Sequence, residues 1–397
     1  ALRLHSRRVR HEPGRVVRDL AVMLADGGDA LADLGALRDQ QVLFGPVASD
    51  ATAYRCLERL DEALLAGIRA ARAAARARAW EQGVVPKRLI LDIDATLITA
   101  HSEKEGAAGT YKGGFGFHPL LCFEATTGEA LAGVLRPGNA ASNTAADHIE
   151  VLQRALAQLP ERALTRGALV RCDSGGATHD FLDAVVARGL SFSVGFDISE
   201  GVREAILALP EDAWLPALDA EGAEREGAWV AELDLDLSRW PAGTRAICRR
   251  ERPHPGAQLS FSDAGGHRFQ VMLTSQRGGR IARLEQLHRQ RAAIEDAIRC
   301  AKASGLRNLP FRAFSLNAAW LELVLTGCDL LAWMRLLLLA GSELSSCEPK
   351  RLRYRLLHVA GRIVRHARGV RLRLPRRWPW AQALTTAFAR LQALPSS

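Results

Sequence analysis

Cysteine is scarce and unpatterned in this chain: seven in 397 residues, at 56, 122, 172, 248, 300, 328 and 347, with no Cys-x-x-Cys pair. An odd count without ligand spacing excludes a disulfide scaffold and a structural zinc cluster, and it fits reduced thiols in a cytoplasmic setting. Long uncharged apolar runs are also missing. The most apolar stretch, 318–340, is broken by Glu322, Asp329 and Arg335, which favours a buried helix over a membrane span. No secretory signal and no internal repeat is visible, and the opening Ala1-Leu2-Arg3 without Met leaves room for missing natural N-terminal residues. Acid is absent from 349–377, where eleven Lys or Arg are interleaved with Leu, Val and Ile.

What is present defines a globular, basic protein. Hydrophobic residues make up 48% and charged ones 24%, so a packed core is available. A length of 397 residues predicts two or three domains. The net charge of +9 favours a polyanionic partner over a plain solvated surface.

The periodicities divide the chain. Residues 1–85 predict helices over 17–24, 29–38 and 50–78, with Ser49-Asp50 as an N-cap. Such a module suits a helix-turn-helix DNA reader or a bundle packed on the next domain. Arg69, Arg72 and Arg76 share a face suited to phosphate contact or to solvation. From 86 to 200 the order is strand-strand-strand-helix-strand-helix-strand, that of a ribonuclease H-like α/β domain. Residues 201–280 read as a separate β-strand insertion. A long helix over 283–303 then completes the catalytic domain (86–200 with 281–310), and 311–397 forms a helical, basic C-terminal region.

Three acids stand out by their settings. Asp94 ends the strand-like run Leu89-Ile90-Leu91-Asp92-Ile93-Asp94, and Asp173 ends Ala168-Leu169-Val170-Arg171-Cys172-Asp173 before Ser174-Gly175-Gly176. Glu295 lies on the long helix, where His288, Arg291, Glu295, Arg299 and Lys302 recur at steps of three or four and so share one face. Three converging carboxylates supply hard oxygen ligands for two Mg²⁺ ions, with Mn²⁺ as a substitute. Two such ions suit phosphodiester chemistry on nucleic acid. Arg291 and Lys302 would then reach adjacent phosphates of the DNA backbone, with His288 and Arg299 as further candidates for DNA contact on the same face.

These residues resemble a DDE transposase of the cut-and-paste insertion-sequence type. The helix matches the family pattern Tyr-x2-Arg-x3-Glu-x6-Lys at Arg291, Glu295 and Lys302, with His288 where Tyr is usual. Asp94-Ala95-Thr96, Tyr111-Lys112-Gly113-Gly114, His118-Pro119-Leu120, Leu135-Arg136-Pro137-Gly138-Asn139, Arg171-Cys172-Asp173-Ser174-Gly175 and Arg307-Asn308-Leu309-Pro310 further resemble the thirteen-eighty group. The resemblance implies Asp94, Asp173 and Glu295 as metal-binding catalytic residues and terminal inverted repeats and target DNA as partners. It also implies a dimeric or larger synaptic complex, a hairpin intermediate, and residence in the cytoplasm at the bacterial nucleoid.

Two other classes remain open on the sequence. Asp92-Ile93-Asp94-Ala95-Thr96-Leu97 satisfies the nucleophile motif of haloacid-dehalogenase-like phosphatases, with Asp92 as nucleophile. A non-catalytic DNA-binding derivative of a transposase is the third. Under the transposase reading Asp92 supports Asp94 from behind, His101, His118 and His179 are structural, and Trp229 and Trp240 fill the core or stack on a flipped base.

Overall fold

The computed structural model describes residues 11–101, 103–165, 167–254, 256, 263–366 and 369–395. The opening residues and Arg368 of the basic tract lie outside that set.

The helices of the first 85 residues form because alanine-rich amphipathic runs are punctuated by capping acids and serines. They are α1 (Pro13–Asp26), α2 (Leu34–Arg38), α3 (Gln41–Phe44), α4 (Asp50–Leu57) and α5 (Glu62–Glu81). Ser49 caps α4 as expected, its side chain accepting from the Thr52 amide. The single helix expected over 50–78 is two. Asp61 accepts from the Leu64 amide at 2.9 Å and opens α5 as a new helix, because an Asp side chain competes for backbone donors best at an N-cap.

The centre is a ten-stranded mixed sheet. Its strands are β1 (Leu89–Ala95), β2 (Leu120–Glu124), β3 (Ala130–Val134), β4 (Ala168–Cys172), β5 (Ser191–Phe196), β6 (Leu215–Leu218), β7 (Glu224–Leu233), β8 (Arg245–Glu251) and β9 (His267–Thr274), with a short Asp263–Ala264 strand on β9. Their order is β3-β2-β1-β4-β5-β9-β8-β7-β6. β1, β4 and β5 run parallel, whereas β2 and β3 are antiparallel neighbours. Helices α6 (Ala145–Leu156) and α7 (His179–Ala187) make the crossovers, and α8 (Glu200–Leu207) follows β5. This is the ribonuclease H-like arrangement.

The insertion is not a separate sheet. β9 pairs directly with β5, Val271 opposite Phe196 and Thr274 opposite Ser193. It covers what would otherwise be an open sheet edge. Period-2 patterning marked these segments as strands but could not name the partner.

The predicted long helix is α9 (Ile281–Arg289) and α10 (Ala293–Ala301), joined by a tighter turn at Gln290–Ala292. The apolar helix α11 (Phe314–Trp333) runs through the core, and among the described residues no helix is long and apolar enough to cross a membrane. One apolar cluster joins Leu20 and Leu24 of α1, Leu65 and Ile68 of α5, Phe123 of β2, Ile294 of α10 and Trp320 of α11. The N-terminal helices thus share a core with the sheet and with α11.

The C-terminal region is not wholly helical. Strands β10 (Arg362–His366) and β11 (Gly369–Arg373) pair with each other alone, before the last helix α12 (Ala381–Ala393). Ile363-Val364 and Val370-Arg371-Leu372 favour extended backbone, and the surrounding basic residues hid that preference.

Candidate active site

The β1 and β4 register places Asp92 opposite Arg171. Two residues further along, at the same sheet edge, come Asp94 at the end of β1 and Asp173 just past β4. Parallel pairing of adjacent strands brings these two acids together. Asp173 is fixed by capping: its Oδ1 accepts from the Gly175 amide at 3.1 Å. Gly175 is the residue that fits there, since a Cβ would approach the Ser142 carbonyl oxygen to 2.7 Å. Asp94 Oδ1 accepts from the Ala95 amide at 2.8 Å, and its Oδ2 pairs with Arg291 at 3.4 Å.

Burial is the main influence on Asp94, lifting its carboxyl from the ordinary 3.8 to about 6; Arg291 opposes the rise and the Asp173 charge adds to it. Two like charges under partial burial, with one guanidinium paired to Asp94, form an incompletely neutralised site.

Glu295 lies exposed on α10. It lines an open cavity of about 740 Å³ together with Asp173, Ser174, His288, Arg291 and Arg249. Among the described residues no three His, Cys, Asp or Glu side chains stand close enough to hold a metal ion. The Asp94–Asp173 pair fits a hard divalent cation by donor type and by its unbalanced charge. Glu295 faces the same cavity without completing the cluster, and Arg291 supplies the positive charge beside Asp94.

The other expected contacts fall out differently. His288 is half-buried, its Nδ1 is 2.9 Å from Ser193 Oγ, and burial among arginines pushes its pKa down to about 3. It is a neutral, sheet-anchored side chain. Lys302 donates to the Leu97 carbonyl at 3.0 Å. Arg299 was expected beside Glu295 on one face but turns to Asp296 at 2.8 Å and Glu348 at 2.7 Å. Both residues keep their spacing on α10, but the exposed Arg299 guanidinium is captured by two nearby carboxylates, Asp296 three residues earlier and Glu348 from the C-terminal region.

Asp92 has a role of its own. It is 1% exposed, and Arg171 grips both its oxygens at 2.6 and 2.7 Å while also donating to the Leu287 carbonyl. This strut ties the C-terminal turn of α9 to the sheet. Such an aspartate is committed to a buried ion pair rather than to attack on phosphorus, against the phosphatase reading. The visible signal was Arg171 itself, a charge inside an otherwise apolar strand. Arg72 and Arg76, read as phosphate-contacting or solvated, are 3% and 0% exposed. They pair with Glu322, Asp329 and Glu129.

Trp240 stacks on His179 at 4.0 Å between ring centroids and meets Phe196 edge-on. Trp229 lies beneath the Arg250 and Arg252 guanidinium groups. His118 is buried, with Nδ1 3.1 Å from the Ala140 carbonyl.

A family model described as "Transposase DDE domain group 1" matches residues 2–396. No curated protein matches the chain. Among solved structures, the piggyBac transposase synaptic complex with hairpin DNA aligns at 10% identity and a TM-score of 0.46, over 89% of this chain and 72% of that one. The Mos1 mariner paired end complex with Mn aligns at 11% identity and a TM-score of 0.20, over 48% and 61%.

Proposed function

This chain belongs to the transposase DDE domain group 1 family, and we propose that it is the transposase of a cut-and-paste insertion sequence, acting on that element's terminal inverted repeats. Membership makes it a polynucleotidyl transferase. The observation that carries the finer reading is the meeting of Asp94 and Asp173 on adjacent parallel strands, with Glu295 on the wall of the cavity that Asp173 lines.

Asp94, Asp173 and Glu295 would hold two Mg²⁺ ions, or Mn²⁺ in their place. Such ions lower the pKa of a bound water or hydroxyl and stabilise the leaving oxygen. The chain's own residues do the rest. The Asp92–Arg171–Leu287 strut fixes α9 against the sheet, and so sets where Glu295 can stand. Arg291, which stands beside Asp94, would supply positive charge to a phosphate of the bound DNA. Lys302, at the end of α10, would contact the DNA backbone, as would Arg299 on exchanging its exposed ion pairs with Asp296 and Glu348. His288 anchors α9 to the sheet through Ser193. In the reaction, water cleaves the phosphodiester at the element's end, and the freed 3′-hydroxyl attacks target DNA. The first 85 residues serve as the end-binding module through surfaces other than the buried arginines of α5, and two chains pair the ends in the bacterial nucleoid.

The test is nicking of a duplex carrying the element's own terminal repeat, with Mg²⁺. Asp94→Asn and Glu295→Gln should abolish cutting, by about 10³-fold or more, as expected when a catalytic carboxylate is lost. Asp92→Asn should retain part of it if the variant folds. Binding without cutting by the unaltered chain would instead make it a non-catalytic DNA-binding derivative.

A further inference from the structure

The strongest unassigned feature is the β10–β11 ribbon. Arg362 lies directly opposite Arg373 and Val364 opposite Arg371, so Arg362, Arg371 and Arg373 share one face. All three are exposed. Among the described residues none of them forms an ion pair, and the sequence places no acid anywhere from 349 to 377. Like charges directly opposite one another weaken a strand pair, and a lone two-stranded ribbon is marginal in water. An exposed ribbon built this way calls for an anionic partner.

Its roots are firm. Arg353 is buried and donates to the Ala25 and Ala303 carbonyls and to Ser304 Oγ, at 2.8 to 2.9 Å. On the return side, Trp378 Nε1 donates to the Arg355 carbonyl at 2.8 Å, and Trp378 meets Tyr354 and Trp380 edge-on. The arm is thus anchored at both ends rather than a frayed tail. Its strands are five residues each, roughly 16 Å long. A two-stranded ribbon of that size fits the B-DNA major groove, about 12 Å wide.

We propose that the ribbon of paired strands β10 and β11 enters the major groove of duplex DNA with Arg362, Arg371 and Arg373 facing phosphates and guanine edges. It is a DNA contact distinct from the acidic cavity. This deepens the transposase reading and rests on it for the identity of the DNA.

The full chain and its Arg362→Gln/Arg371→Gln/Arg373→Gln variant should be compared by fluorescence anisotropy on a terminal-repeat duplex and a mixed-sequence duplex across a salt series. The slope of log affinity against log salt should flatten by up to about 2.7, roughly 0.9 for each of the three arginines that neutralises a phosphate. Protection of guanine N7 from methylation, a major-groove position, should be lost in the same variant. Circular dichroism should stay unchanged, and the unfolding midpoint should not fall. An unaltered slope overturns the proposal. So does a flattened slope with N7 protection intact, which would place the arm outside the major groove. So does a change only in self-association without DNA, which would make the arm a contact between chains. Asp94→Asn, with its ribbon intact, keeps the two readings separate: it should lose cutting and keep the slope.

Discussion

Two sets of arginines look alike in the sequence and meet opposite fates. Those of α5 (Arg72 and Arg76) are sealed in the core against Asp329, Glu322 and Glu129. Those of the C-terminal ribbon stand exposed. Helical spacing suggested a phosphate-contacting face for the first set, yet Glu322 and Asp329 lie about 250 positions away, on α11, and Glu129 lies 53 positions away beside β3. A guanidinium can be buried only when its charge and its donors are met. Arg72 meets that condition with two carboxylates and the Ala130 carbonyl, and Arg76 with two carboxylates and Gln158. The ribbon arginines have no acid within reach along the chain. Basicity in this protein is therefore two separate things, a strut and a surface.

Stability measurements break or sharpen that contrast. Arg76→Ala leaves Asp329 and Glu129 short of a partner in the core, and should cost about 3–5 kcal/mol in urea unfolding. Unfolding at the wild-type midpoint would mean the strut carries no weight. Asp94 comes next. Its carboxyl is raised from 3.8 to about 6, so the folded chain binds that proton more tightly than the unfolded one. Stability from this group is complete below pH 3.8 and is lost as pH rises through about 6. Asp94→Asn should therefore stabilise the metal-free protein at pH 8, by about 3 kcal/mol at most. That gain should vanish below pH 3.8, and a gain that persists there would argue against burial as the cause. The triple ribbon variant should shift stability by only about 0.2–1 kcal/mol, and toward greater stability, as cross-strand repulsion is relieved. Smallest of all, Arg299→Gln removes two exposed ion pairs and should leave the unfolding midpoint within experimental scatter.

Much of the fold was legible. Apolar runs ending in Asp94 and Asp173 read as strands because period, length and the Ser174-Gly175-Gly176 turn agree. The order of strands and helices was enough to name a ribonuclease H-like sheet. The helix of Glu295 was legible too, but its break at Gln290–Ala292 was not, since no Pro or Gly marks it. Asp92 illustrates the limit within the site. From the strand alone it was a possible nucleophile or support, and only Arg171, 79 positions later, decides between them.

By itself the sequence determined the local elements, the strand-end placement of Asp94 and Asp173, the helical placement of Glu295 and the family pattern that joins them. Those depend on periodicity and on capping residues a few positions apart. The tertiary structure alone decided that the insertion extends the central sheet, that Arg72, Arg76 and Asp92 are buried ion-pair members, and that Arg291 stands beside Asp94. Each of these turns on a partner far away in the chain, and burial of a charge is settled by the partner it finds.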